Sequence, residues 1–129
     1  MKLLLVLLLL VISVNLTAQG ERWVHYGTNG DGDEYFYDKE TLEYNTSTKN
    51  VWIKIIFKNY LFNNYLNKYE KYNLLHIEFY CSDRTYRNKE FIIYYDDGTN
   101  SYYDQSDKTE FKTVIPDTIN ESLFYIICQ

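Results

Sequence analysis

Two groups of side chains have types and spacing that could do chemistry. The first lies in Thr28 to Glu40, TNGDGDEYFYDKE, where Asn29, Asp31, Asp33 and Glu40 fall at positions one, three, five and twelve of a calcium-binding loop. Position six of such a loop needs glycine for its sharp turn, but Glu34 stands there, and no helical pattern flanks the run. Asn29-Gly30 and Asp31-Gly32 are the dipeptides that tight hairpins demand, so the run reads as a hairpin turn whose acids are solvated. The second group is His76 and Glu78, two residues apart and therefore on one face of a strand. That pairing would suit a proton shuttle or a metal ligand pair, but strand neighbours of this kind are more often plain surface residues. His25 has no evident partner and no activated serine is in view. No catalytic residue is assigned, no metal or cofactor is expected, and the chain does not read as an enzyme.

The remaining reactive side chains are Cys81 and Cys128. Residues 3–14 form an apolar run of about a dozen residues, the length of a signal-peptide core and too short to span a bilayer. A small-residue stop follows, so residues 1–18 read as a signal peptide and 19–129 as the exported chain. No cysteine lies near that cut, and no lipid anchor is expected. Export leads to an oxidising compartment, periplasmic or extracellular, where two cysteines read as a disulfide. In the chain-entropy picture a loop of this length stabilises by roughly 4 kcal/mol, a large share of a typical total of about 5–15.

The elements that must position these residues follow from periodicity. About 110 exported residues are near the modal size of one domain and enough for a core. The net charge is −5 and the lysines are scattered among acids, which argues against a nucleic-acid partner. In Val51 to Lys58, alternation puts Val51, Ile53, Ile55 and Phe57 on one face and Lys54 and Lys58 on the other. Leu75 to Cys81 repeats the pattern, with Leu75, Ile77, Phe79 and Cys81 inward and His76, Glu78 and Tyr80 outward. Further strands are expected at Trp23 to Gly27, Tyr35 to Asp38, Tyr86 to Tyr95 and Phe111 to Ile115, and the short connections favour antiparallel pairing. Asp96-Asp97-Gly98 and Asp104 to Asp107 read as polar loops. Asn59 to Lys71 reads as a loop or a short helix lined by Leu61, Tyr65, Leu66 and Tyr69, its asparagines favouring the loop.

After Pro116 the period changes. Thr118 and Glu121 form a capping-box signature, and Ile119, Leu123, Ile126 and Ile127 recur at helical spacing, which predicts a helix to about Cys128. With Cys81 on the core face of its strand, a Cys81–Cys128 disulfide would clamp this helix across the sheet.

The ordered landmarks Trp23-Val24-His25-Tyr26-Gly27, Tyr35-Phe36-Tyr37-Asp38, Val51-Trp52-Ile53-Lys54, Ile77-Glu78-Phe79-Tyr80-Cys81, Arg84-Thr85-Tyr86-Arg87 and Pro116 with its capped helix span nearly all of the exported chain. Together they resemble the bacterial surface-adhesin protein E family. The resemblance implies an α+β fold, a curved antiparallel sheet of about five to six strands with a C-terminal helix on one face and a cysteine pair joining the two. It also implies adhesion to host extracellular-matrix proteins.

Fifteen tyrosines are the compositional excess that bears on function. Tyrosine is a rigid contact residue enriched at interfaces, so a sheet face bearing Tyr80, Tyr94 and the neighbouring His76 is a candidate recognition surface; tyrosine is equally a good strand former, and its abundance has that plainer reading too. The leading expectation is a binding module for a protein partner, with a cell-envelope accessory protein as the alternative.

Overall fold

The computed structural model describes residues 21–106 and 108–129, so the expected signal segment lies outside the described residues. Eight strands form one antiparallel sheet. In chain order they are β1 (Trp23–Thr28), β2 (Glu34–Asp38), β3 (Glu43–Tyr44), β4 (Lys49–Asn63), β5 (Lys68–Tyr80), β6 (Thr85–Tyr95), β7 (Asn100–Asp104) and β8 (Lys112–Thr113), followed by the helix α1 (Ile119–Ile127). The main path runs β1-β2-β4-β5-β6-β7, with β3 paired to the start of β4 and β8 to the start of β6. Neighbours along the path are joined by short connections, the pattern expected for antiparallel pairing.

The strand count exceeds the expected five to six, and each added strand is a weak one. β3 is only two residues long, too short to show alternation. β7 reads Asn-Ser-Tyr-Tyr-Asp and is an edge strand with mostly exposed side chains, so burial imposes no apolar pattern on it. The largest correction concerns Asn59 to Lys71, which is neither loop nor helix. β4 continues to Asn63 and β5 begins at Lys68, with Leu61 opposite Glu70, Phe62 opposite Tyr69 and Asn63 opposite Lys68. The asparagines build the turn between them: Asn63 Oδ1 accepts from the backbone N–H of Tyr65 and Leu66, and Asn67 takes a left-handed φ of 53°. Residues that argued for a loop therefore close a hairpin, and its tip carries Tyr65 fully exposed.

The core lies on one face of the sheet. Val51 and Ile53 of β4, Ile77 and Phe79 of β5, and Val114 meet Leu123, Phe124 and Ile127 of α1. Completely burying one such side chain contributes about 1.5–3 kcal/mol. The helix begins as expected at Thr118, whose hydroxyl accepts from the Glu121 N–H, while the Glu121 carboxylate reaches one residue further back, to the Asp117 N–H. The buried stripe differs by one residue from expectation. Phe124 packs edge-on against Phe79 with ring centroids 6.1 Å apart, and the helix is rolled toward it, leaving Ile126 exposed. Ile119 rests over Gly27, where a Cβ would stand 2.8 Å from the Ile119 Cδ1, so a larger residue there would push the end of that side chain aside.

Cys81 and Cys128 form the expected disulfide, Cα to Cα 5.6 Å. Cys81 stands just past β5, at the start of a short 3-10 turn over Cys81–Asp83, and both cysteines pack against the core. The helix end is held again by Lys49, whose ammonium donates to the carbonyls of Ile127 and Gln129 at 2.9 and 3.3 Å, where the helix dipole favours a cation.

Candidate binding face

Neither group of chemically suggestive residues assembles into a reaction centre. In the Thr28 to Glu40 run, Asn29 Oδ1 accepts from the N–H groups of Asp31 and Asp33, and Gly32 supplies a φ of +88°. Asp33 Oδ1 accepts from the Lys58 N–H while its Oδ2 accepts from the Asn29 amide, so this carboxylate fastens the β1–β2 hairpin to β4. Among the described residues, no three His, Cys, Asp or Glu side chains gather as a metal site. His76 and Glu78 are likewise separate. His76 Nδ1 lies 2.6 Å from Oε2 of Glu90, whereas Glu78 is buried and accepts from Arg87 Nε at 2.7 Å. The outward residues of β5 are thus not plain surface, because their cross-strand neighbours cover them.

The alternation that sends Val51 and Ile53 into the core sends Trp52, Lys54 and Ile56 to the other face of the sheet. Register then lines up their partners. Phe36, Lys54, Leu74, Ile92 and Tyr102 form one row across five strands. Ile56, Tyr72 and Tyr94 form the row beside it, and Trp52, His76 and Glu90 the row on the other side. The single helix of the described residues packs on the opposite face, so among those residues no helix covers this one.

Those side chains stack. The rings of Trp52 and His76 are parallel at 4.9 Å, and those of Tyr72 and Tyr94 at 4.5 Å. Lys54 Nζ sits 4.6 Å from the Tyr72 ring centroid and 5.6 Å from that of Trp23, within cation–π range of both. Tyr102 donates to Glu90 Oε1 at 2.9 Å, which raises the Tyr102 phenol above its ordinary value because the bond favours the protonated form. Burial, with Tyr94 beside it, pushes the Tyr72 phenol up as well. These tyrosines are neutral contact groups at any physiological pH.

Trp23 on the edge strand lines two hollows of this face. The larger, about 370 Å³, is lined by Glu21, Arg22, Trp23, Phe36, Lys54 and Ile56. The smaller, about 180 Å³, is lined by Trp23 together with Asp38, Trp52, Leu74 and Ile92. Arg22 borders both and is fixed there by Asp38, a fully buried carboxylate 2.6 Å from its Nη2.

Of the residues singled out in sequence, His76 and Tyr94 belong to this face, with the row of Leu74 and Ile92 between them. Tyr80 shares the face but stands at the far end of β5, edge-on to Phe111 at 6.2 Å and away from the hollows. Sequence reasoning missed Trp23, Phe36, Trp52, Lys54 and Tyr72. The signal was present in Val51 to Phe57, whose second parity is also mostly apolar: a strand with one face in the core and the other in water would not place Trp52 and Ile56 outward.

The chain matches the family model described as surface-adhesin protein E over residues 23–129. The same arrangement of sheet and helix occurs in the solved structure of Haemophilus influenzae protein E, at TM-score 0.62 and 14% identity over 87% of both chains. A second crystal form of that protein gives TM-score 0.63 at 13% identity, covering 87% of this chain and 91% of the other. Protein E from non-typeable Haemophilus influenzae gives 0.60 at 13%, covering 87% and 78%. No curated protein sequence matches. None of the described helices is long and apolar enough to cross a membrane. The match across nearly all of the described residues decides the affiliation: the chain belongs to the surface-adhesin protein E family.

Proposed function

We propose that this adhesin-family protein is an exported, non-enzymatic binding module that presents the sheet face opposite α1 to a protein partner, with host extracellular-matrix proteins as the partner class. The observation that carries this reading is the aromatic face itself: Trp23, Phe36, Trp52, Tyr72 and Tyr94 stand half-buried on the side of the sheet that no helix of the described residues covers, and two hollows open beside Trp23. A sheet face with no partner ordinarily alternates to polar residues. Aromatic side chains with a polar rim are the composition of recognition surfaces, since they give large contact area at low entropic cost. Family membership supports the adhesin class, and the apolar run at residues 3–14 supports export.

Binding of the exported protein to surfaces coated with purified extracellular-matrix proteins tests the reading. Saturable binding supports it. An envelope accessory role, the second reading on sequence grounds, would instead give no matrix binding, together with co-fractionation of the protein with an endogenous envelope complex.

A further inference from the structure

Lys54 is the unusual residue of the larger hollow. It shares the hollow with Trp23, Phe36 and Ile56 and with the charged Glu21 and Arg22, and among the described residues no carboxylate lies within ion-pair distance of its ammonium. The acids around it are committed elsewhere or stand apart: Asp38 to Arg22, Glu90 to His76 and Tyr102, Glu78 to Arg87, and Glu21 exposed on the rim. Among the described residues, the ring faces of Trp23 and Tyr72 lie against the cation. This is a local departure in a chain with 18 acids, because between Glu43 and Glu70 there are four lysines and no acid at all.

A lysine over aromatic rings in an open hollow walled by Trp23, Phe36 and Ile56 is a half-made site. Cation–π contact orients the ammonium while leaving its donors free, and the surrounding rings lower the local dielectric in which any incoming anion would meet it. We infer that the larger hollow receives a carboxylate carried beside an aromatic or aliphatic side chain of a polypeptide partner, the apolar group filling the space between Trp23, Phe36 and Ile56 and the carboxylate accepting from Lys54. This rests on the face being the binding surface and adds the chemistry of its partner. The two separate hollows that share Trp23 favour a polypeptide over a long-chain free acid: two short hollows suit separate side chains, whereas an alkyl chain calls for one continuous channel. The larger hollow, about 370 Å³, has room for an aromatic side chain, and the smaller, about 180 Å³, for an aliphatic one.

The test is NMR shift mapping on the exported protein with acetyl-Leu-Phe-Glu-Leu-amide and with its counterpart carrying glutamine in place of glutamate, each against wild type and Lys54→Met. Methionine keeps the apolar stem and removes the charge, and an unchanged spectrum away from the hollow verifies the fold. The expected result is that both peptides shift Trp23, Phe36 and Ile56, that the glutamate peptide binds wild type about tenfold more tightly, and that the two peptides become equal in Lys54→Met. Shifts at this face without preference for glutamate, or a preference that survives Lys54→Met, would overturn the carboxylate and leave the binding face standing. Shifts confined to other surfaces, or none up to millimolar peptide, would overturn both.

Discussion

The imidazole of His76 lies parallel to the indole of Trp52, centroids 4.9 Å apart and planes within 9°, while its Nδ1 sits 2.6 Å from Glu90 Oε2. With 15% of its side chain exposed, His76 is a structural member of the outer face. His76→Ala removes both the stack and the hydrogen bond and is expected to cost about 1–2 kcal/mol. Chemical denaturation measures it; a loss below about 0.5 kcal/mol, the usual range for surface substitutions, would mean the stack contributes nothing.

Tyr26 packs against the core with its hydroxyl buried and without a hydrogen-bond partner among the described residues. Burial raises its phenol well above the ordinary tyrosine value, in keeping with a group that never ionises in the folded protein. Removing an unpaired buried hydroxyl relieves a desolvation cost of about 1–3 kcal/mol. Tyr26→Phe is therefore expected to leave the melting temperature unchanged or raise it, and a clear drop would show that the hydroxyl is satisfied.

The Cys81–Cys128 link closes a loop of sequence separation 47. By chain entropy that is worth about 4 kcal/mol, so Cys128→Ser is expected to lose about 2–4 kcal/mol of unfolding free energy. A nine-residue helix is marginal by itself, and amide exchange should accelerate first in Ile119 to Ile127. Unchanged stability, or exchange that accelerates elsewhere first, would contradict the clamp.

The Asp97 carboxyl is held down to about 2, from an ordinary 3.8, chiefly by the Thr99 hydroxyl and by Lys68, with the Thr99 N–H adding to them. A depressed folded value means its stabilisation is complete above pH 3.8 and is lost as the pH falls through about 2. Asp97→Asn is expected to flatten the decline of the urea midpoint across that window. Parallel profiles for wild type and variant would contradict the assignment.

Legibility in the sequence tracked how strongly burial constrained each segment. Val51 and Ile53 opposite Ile77 and Leu75 announce the core face because one face of each strand must be apolar. Thr118 announces the helix because its cap is local chemistry. What escaped is set by register, which a single strand does not carry. Trp52 meets His76 and Lys54 meets Leu74 only once the β4–β5 hairpin is aligned, and that alignment passes through an irregularity between Ile56 and Leu61. The hairpin tip escaped because asparagine serves turn and loop alike, and only Asn67 in the left-handed region shows which. Trp23 gives no sign in sequence that it lines two hollows, since that depends on its pairing with Asp38 of β2, which stands between it and β4.

The proposed function depends most directly on where the partner binds. The decisive measurement compares binding to matrix-coated surfaces of wild type, an outer-face variant, Tyr72→Ser with Tyr94→Ser, and a helix-face variant, Tyr125→Ser with Ile126→Ser, whose side chains are exposed on α1. Central aromatic anchors of an interface commonly cost 2 kcal/mol or more each when truncated, so the outer-face variant is expected to bind at least about tenfold more weakly while the helix-face variant matches wild type. Undiminished binding by the folded outer-face variant, or a loss in the helix-face variant instead, would contradict the assignment of the aromatic face as the binding surface.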